Sequence, residues 1–452
     1  MRVLVVTNLY PPQELGGYGR SIADFVWGLQ QRGHQLQVLS SDAPYLNPPG
    51  CTEVSVGPSG EPVHRGLRLK GTYEGGVKPL ADPGARAAID AANAAVLRSW
   101  LARGWDGVLL GNLDLFGIEL LQVALEAAIP VLHHVGFVSP PFAPQQMPAV
   151  PHYRLLAASA AVRQGLVAAG LPASGAPVVY PGARCELFGP AATGRPSAVA
   201  SAAALAAAGH PWGTPANPLK LGFAGLLMGS KGAHTVVEAL IALHRQGMAL
   251  QASLAGGSFQ TGYREQLEAQ LAAAGLAGVV VGGGVVRFVG QLQRPQLARF
   301  WALQQVGVFA SIHPEAFGIV GAEIMASGAA LLTTGVGGAA ELIEPGVSGL
   351  RFEPGNATSL VEALRQLLAD PGLLVRLAAA GEQRARACFS VQTAAAQLEQ
   401  LFAAQTPGEA AGGNAAAATD AAAPGPHKWD TPTGNSSAPR PEQNRDQAPV
   451  VF

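Results

Sequence analysis

The feature that most constrains this chain is a rhythm. Short, unbroken apolar runs alternate with helix-period segments, in two series separated by a stretch where the pattern stops. The first run, Arg2 to Thr7, has the continuous apolar character of a strand buried on both faces of a parallel sheet. A loop holding Pro11, Pro12, Gly16 and Gly17 follows. Ile22, Phe25, Val26 and Leu29 then recur at helical spacing across residues 21–32. Gly33 ends that helix, and 35–40 reads as the next strand. The series continues with a helix at 86–102, a strand at 107–110, a helix at 115–127 and a strand at 130–134. Strands at 155–159 and 176–180 flank a helix ending at Gly170. The second series places strands at 219–224, 249–256, 285–290, 306–311 and 329–334. Its helices fall at 232–247, 262–275, 294–303, from 319, and at 356–369 and 371–387. Such alternation predicts an α/β protein with doubly wound parallel sheets.

The breaks predict the domain organisation. Residues 1–185 form one Rossmann-like domain and 218–388 a second. Residues 186–217, with a Pro- and Gly-rich composition and an Ala run, read as a connection carrying one short helix. A terminal helix spans 389–403. Residues 404–452 lack periodicity and are rich in Ala, Gly, Pro, Ser and Asn, so they read as a disordered tail. Two parallel-sheet domains make the cleft between them the natural ligand site.

Composition narrows the function. Charged residues are 13% of the chain and the formal net charge is -1, which argues against a nucleic-acid binder. Cys51, Cys185 and Cys388 are scattered, with neither a disulfide framework nor zinc spacing, which points to a reducing compartment. The N-terminus does not read as a signal peptide, and no run reaches the ~18 apolar residues of a spanning helix. A cytoplasmic location is expected. The lack of a basic amphipathic run weakens membrane attachment but leaves weak peripheral association open.

Three segments carry candidate chemistry. His313-Pro-Glu315-Ala-Phe317-Gly318-Ile-Val320-Gly-Ala-Glu323 follows a buried strand and opens a helix. Backbone N–H groups near Ile319 and Val320 would converge there, a setting that favours an anion such as a diphosphate. Glu323, one turn in, would accept hydrogen bonds from ribose hydroxyls, and Glu315 would reach a sugar beyond the phosphates. Phe223-Ala-Gly225-Leu226-Leu227-Met-Gly229-Ser-Lys231-Gly232 ends a strand and starts a helix, aiming Lys231 into the cleft. Asn8-Leu-Tyr-Pro-Pro-Gln-Glu-Leu-Gly16-Gly17-Tyr18-Gly19-Arg20 is a loop whose glycines let backbone approach a phosphate closely. No Asp-x-Asp pair precedes a strand end, so no metal is implied.

With these residues in view, the chain resembles glycosyltransferase family 4, which has the two-domain GT-B fold. The resemblance covers about 1–403 and is stronger in the second domain. Glu315, Phe317, Gly318 and Glu323 match the family's Glu, seven residues, Glu segment, and Lys231 matches the Lys of its G-R-…-K-G segment. Leu226 stands at the Arg of that segment, so either Arg20, His313 or Arg287 replaces the missing cation or activity is weak. The Pro-Pro-…-Gly-Gly loop and Arg32-Gly33-His34 also match, the latter read as a helix stop. Val178 to Phe188 matches the family's end-of-domain segment more loosely, with Pro181 and Arg184 where Asn and Asp are usual.

The resemblance implies a retaining, metal-independent transferase. It would use a nucleotide-diphosphate sugar, no cofactor, and a saccharide, lipid-linked or small-metabolite acceptor held by the first domain. It implies Glu315, His134 and Lys231 as catalytic residues. Gly16, Gly17, Lys231, Phe317, Gly318, Ile319, Val320, Glu323 and Leu292 would bind the donor. His134 is favoured over His133 as the cleft-facing member of the pair, although the register allows either. Competing readings are a non-catalytic nucleotide-sugar-binding protein, a nucleotide-sugar epimerase and, because the glycine spacing is poor, more remotely a nicotinamide-dependent oxidoreductase.

Overall fold

The computed structural model describes residues 1–74, 76–189, 198–207, 209, 213–276 and 286–405. The tail expected from 404 therefore lies outside the described residues from 406 onward, as does part of the expected connection.

The first sheet contains β1 (Arg2–Thr7), β2 (Gln35–Ser41), β3 (Val63–Leu67), β6 (Gly107–Leu110), β7 (Val131–Val135) and β8 (Tyr153–Ala157), in the spatial order β3-β2-β1-β6-β7-β8. Every pairing in it is parallel. A two-stranded ribbon, β4 (Gly71–Thr72) with β5 (Lys78–Pro79), stands apart. Helices α1 (Tyr18–Gln31), α2 (Pro83–Leu101), α3 (Ile118–Leu125) and α4 (Ala160–Ala168) cover its faces. Val3, Val5, Leu109 and Leu132 pack with α1 on one side. Leu4, Val6, Val108 and Leu110 pack with α2 and α3 on the other. That two-sided burial explains the unbroken apolar runs.

The second sheet repeats the plan. Strands β9 (Leu219–Ala224), β10 (Leu250–Ala255), β11 (Val286–Gly290), β12 (Val306–Phe309), β13 (Ala330–Thr333) and β14 (Leu350–Arg351) lie in the order β11-β10-β9-β12-β13-β14, again all parallel. Between the sheets come α5 (Cys185–Phe188) and α6 (Ala198–Ala207). Then follow α7 (Ala233–Arg245), α8 (Tyr263–Ala273), α9 (Arg294–Trp301), α10 (Ile319–Ala326), α11 (Ala357–Ala369) and α12 (Pro371–Cys388).

The last helix, α13 (Val391–Ala403), returns to the first domain. It lies so close to α1 that a Cβ at Gly28 would meet Ala395 Cβ at 2.8 Å. Phe402 fills the space beside Gly107, and Glu399 accepts from Arg32 Nε at 2.7 Å and contacts His34 Nε2 at 3.1 Å. Arg32-Gly33-His34 thus does more than stop a helix: it clamps the returning one. Where the chain crosses between domains, the backbone N–H of Ala183 donates to Phe389 and that of Val391 to Ala183.

Three departures from the sequence reading have local causes. Residues 176–180 do not form a sheet strand; only an isolated bridge joins Val178 to Ala157, because Pro177 has no N–H to offer and the chain turns into the crossing. Strand β3 was not expected, since VHRGL carries two polar residues and a glycine at the sheet edge. Strand β14 is two residues long, too short for any periodicity.

Candidate functional site

Each sheet reverses its winding at one point, between β1 and β6 and between β9 and β12. Ligands of doubly wound sheets bind beyond the strand ends at such points. The loops after β1, β9 and β12 are the three segments singled out above, and the structure brings them together. Helix α1 begins after Gly17 and α10 begins after Gly318, both without a side-chain cap. The two starts touch: a Cβ at Gly17 would lie 3.0 Å from Ile319 Cδ1. Two positive helix ends with no side-chain cap therefore meet across the cleft. Gly318 has φ +105° and Phe309 2.7 Å from its missing Cβ, so only glycine fits there.

Lys231 ends a tight turn, Gly229–Lys231, after β9. Gly232 follows at φ +72°, with Ala310 O 2.0 Å from where its Cβ would be. This packing fixes Lys231 against the end of β12. Its Nζ lies 2.6 Å from Glu315 Oε1, and Ser311 Oγ also donates to that carboxylate. The Glu315 backbone is tied to the Gly-rich loop after β13, accepting from Gly338 N at 2.7 Å and donating to Val336 O at 3.2 Å. Lys231 and Glu315 are thus a pre-positioned pair.

Glu323 is the opposite case. It is 0% exposed, and neither carboxylate oxygen has a hydrogen-bond partner. Its nearest cation is Arg294 Nη2 at 4.0 Å. Burial raises its pKa above the ordinary carboxylate value; Arg20 and then Arg294 pull it back. Arg294 is engaged elsewhere, donating through both Nη atoms to Asp24. Asp24 is buried in α1 and also accepts from Arg184 Nε at 2.6 Å. The Arg184 guanidinium lies over the Trp27 ring.

A second carboxylate joins the domains near the crossing. Glu341, in the turn Gly338–Glu341, accepts from Ala160 N at 3.0 Å and Ala161 N at 2.9 Å, capping α4 from the other domain. Tyr180 Oη donates to it at 2.8 Å.

Several expected residues lie elsewhere. His134 does not face the cleft: it is 0% exposed, Nε2 is 2.9 Å from Val179 O, and its ring lies between Tyr18 and Phe25. Burial takes its pKa down to about 4. His133 points to the other side, against Tyr153 Oη, and burial takes it down to about 3. The expectation that one of the pair faces the cleft is not met: Tyr18 and Phe25 of α1 cover His134, and Phe142 and Tyr153 cover His133. Phe317 is likewise buried, its ring against Tyr180 and Phe389, so only its backbone borders the cleft. Leu292, Ile319 and Val320 are half-buried at the edge of that core. Gly16 has φ +68° with open space around it. Leu226 is half-buried at the turn after β9. Asp24, Arg294 and Glu341 were missed. A separate open cavity of about 480 Å³ lies in the first domain, lined by Asp42, Tyr45, Arg65 and Arg68 among others, and holds none of these groups.

Two doubly wound domains with their switch points meeting at a shared cleft are the GT-B architecture, and the chain is a glycosyltransferase. The family model for glycosyl transferases group 1 matches residues 210–384, essentially the second domain. Glycogen synthase of Mycobacterium tuberculosis is 26% identical over 436 residues, covering 90% of this chain and 96% of that one. D-inositol 3-phosphate glycosyltransferase of Nocardioides sp. is 30% identical over 196 residues, 42% of each chain. Among solved structures, a glycosyltransferase from Rickettsia africae superposes with TM-score 0.69 at 17% identity, covering 89% of this chain and 98% of that one. Anabaena Alr3699/HepE in complex with UDP gives TM-score 0.65 at 20% identity, covering 89% and 100%.

Proposed function

We propose that the chain is a retaining glycosyltransferase of the family 4 type. It moves a sugar from a nucleotide-diphosphate donor to a hydroxyl acceptor without a metal. The observation that carries this reading is Glu323: a fully buried carboxylate with two empty oxygens, beside the meeting point of two uncapped helix starts. A buried charge left unpaired is costly, and a ribose diol would satisfy both oxygens while the diphosphate lies against the N–H groups of Ile319 and Val320. The Anabaena neighbour holds UDP in the same architecture.

In this reading the bond from the anomeric carbon to the phosphate oxygen breaks as the new bond to the acceptor oxygen forms on the same face. The departing phosphate oxygen takes the acceptor proton. The start of α10 and Lys231 stabilise the charge that develops on the diphosphate. Glu315, held by Lys231 and Ser311, orients sugar hydroxyls, and the segment from Gly290 to Leu292 borders the base. His134 supports Tyr18 from below, since its ring has no path to the sugar here. Closure of the two domains over the donor excludes water from the reacting centre.

Thermal stabilisation by UDP, GDP and ADP, each with and without EDTA, tests this. One nucleotide should raise the melting temperature of the wild type, equally with EDTA, and fail with Glu323→Ala. Stabilisation that survives in Glu323→Ala would move the donor elsewhere, and stabilisation abolished by EDTA would require a metal.

A further inference from the structure

The cations around the two helix starts are not held equally. Lys231 is locked to Glu315 at 2.6 Å, and Arg294 grips Asp24 through two contacts, with Nη2–Oδ2 at 2.7 Å. Arg20 has one contact, Nη2 to Glu14 Oε1 at 3.4 Å. Its Nε is buried without a partner, as is Oε2 of Glu14. Arg20 is the third residue of α1, within one turn of Gly17 and so of the contact with Ile319. His313 and Arg287, the other cations considered from the sequence, are both exposed, Arg287 on the edge strand β11. Arg20 also opposes the effect of burial on Glu323 more than any other neighbouring charge.

A nucleoside diphosphate brings several negative charges into this cleft. Lys231, shared with Glu315, offsets only part of that, and Leu226 offers no charge. We propose that Arg20 is a diphosphate-binding residue for the donor, reaching from the first domain to the anion at the start of α10 and exchanging Glu14 for phosphate oxygens. The inference rests on the nucleotide-sugar reading above. Of the three nearby cations, Arg20 loses the weakest existing contact in the exchange, and charge-assisted contacts from a guanidinium to phosphate are strong. The anion is then gripped from both domains, which couples donor binding to cleft closure.

Calorimetric titration of the full chain with UDP, GDP and ADP, and with uridine, guanosine and adenosine, tests it. For the base that binds, Arg20→Gln should weaken the diphosphate by about tenfold or more and the matching nucleoside by less than about threefold. Glu14→Gln should act in the opposite sense, tightening the diphosphate by about two- to threefold, because it removes a competitor for Arg20. Equal weakening of nucleoside and diphosphate by Arg20→Gln would show a structural role and overturn the proposal. So would an unchanged diphosphate affinity, or a Glu14→Gln variant that weakens binding as Arg20→Gln does. If the wild type binds nucleoside and diphosphate but ignores Arg20→Gln, only this inference falls. If it binds none of the six, the nucleotide-sugar reading falls and this inference with it.

Discussion

Two polar seams join the domains, and they are built in opposite ways. At the crossing, Glu341 meets two backbone N–H groups and a tyrosine hydroxyl, and Ser159 takes the next N–H of the same helix, Val162 N, at 3.0 Å. Beside the cleft, Glu323 has no hydrogen-bond partner, only Arg294 Nη2 at 4.0 Å. Among the described residues, the buried side-chain atoms without partners include Glu14 Oε2, Arg20 Nε, Arg294 Nε and both oxygens of Glu323, whereas no such atom belongs to Glu341 or Tyr180. Native folds satisfy their buried polar groups. A complete seam is what a purely structural junction requires, and an incomplete one beside the cleft is what the proposed donor site requires. Asp24 lies between these extremes: it is paired with Arg184 and Arg294, and Arg294 also stands 4.0 Å from Glu323.

The severest way to break the contrast is Asp24→Ala. It strands Arg184 and Arg294 in a buried place, and loss of one partner of a buried ion pair costs about 3–5 kcal/mol. Urea denaturation should show that loss. Donor affinity should also fall, because Arg294, once released, can close its 4.0 Å gap to Glu323 and compete with ligand hydroxyls. Intact affinity in a destabilised variant would mean that Arg294 does not move. Glu341→Ala is milder: it leaves two helix-start N–H groups and Tyr180 Oη unpaired, for about 2–3 kcal/mol. Donor affinity should change less than about threefold, as befits a seam with no ligand role. A collapse of donor binding out of proportion to the lost stability would erase the distinction between the seams. Glu323→Gln should reverse the sign, raising the stability of the unliganded protein by about 1–2 kcal/mol by removing an unpaired buried charge. The same change should weaken the donor by about tenfold or more. A variant less stable than wild type would show that Glu323 is better satisfied than its contacts suggest.

How far the two seams could be read in advance follows from the distance over which their contacts act. Lys231 and Glu315 sit in the turns directly after apolar strands and Glu323 in the first turns of the helix that follows, so the strand–helix pattern places them at the sheet ends where ligands bind. Asp24 and Arg294 are 270 positions apart, and Glu341 and Ala161 are 180 apart. Nothing local marks such pairs. Asp24 sits between Ala23 and Phe25 on a helix face that would bury a charge without reason, and this was the available clue. Arg184 was noticed as unusual, but its role needed Asp24 in view. The histidines show the reverse limit: strand alternation separated their directions, while the cover over each face came from α1 and from Tyr153, beyond any pattern on their own strand.

The finest test asks whether Glu323 is strained as an ion. Burial lifts its carboxyl above the ordinary value of 4.5, against the pull of Arg20 and Arg294. An acid whose pKa is higher folded than unfolded costs stability while it is ionised. That cost is complete above the folded pKa and fades as pH falls towards the unfolded value, where the proton is bound in both states. The stability gained by Glu323→Gln should therefore be widest at neutral and alkaline pH and shrink steadily towards pH 4.5. Urea midpoints of the two proteins between about pH 8 and pH 5 would show the curves converging. Glu341 accepts from two backbone N–H groups and Tyr180 Oη, so Glu341→Gln, measured alongside, should not converge on the wild type from the stable side. Parallel curves for Glu323→Gln would mean that the carboxylate at the cleft is as comfortable as the one at the crossing. The contrast between a filled seam and an empty one would then lie in geometry alone.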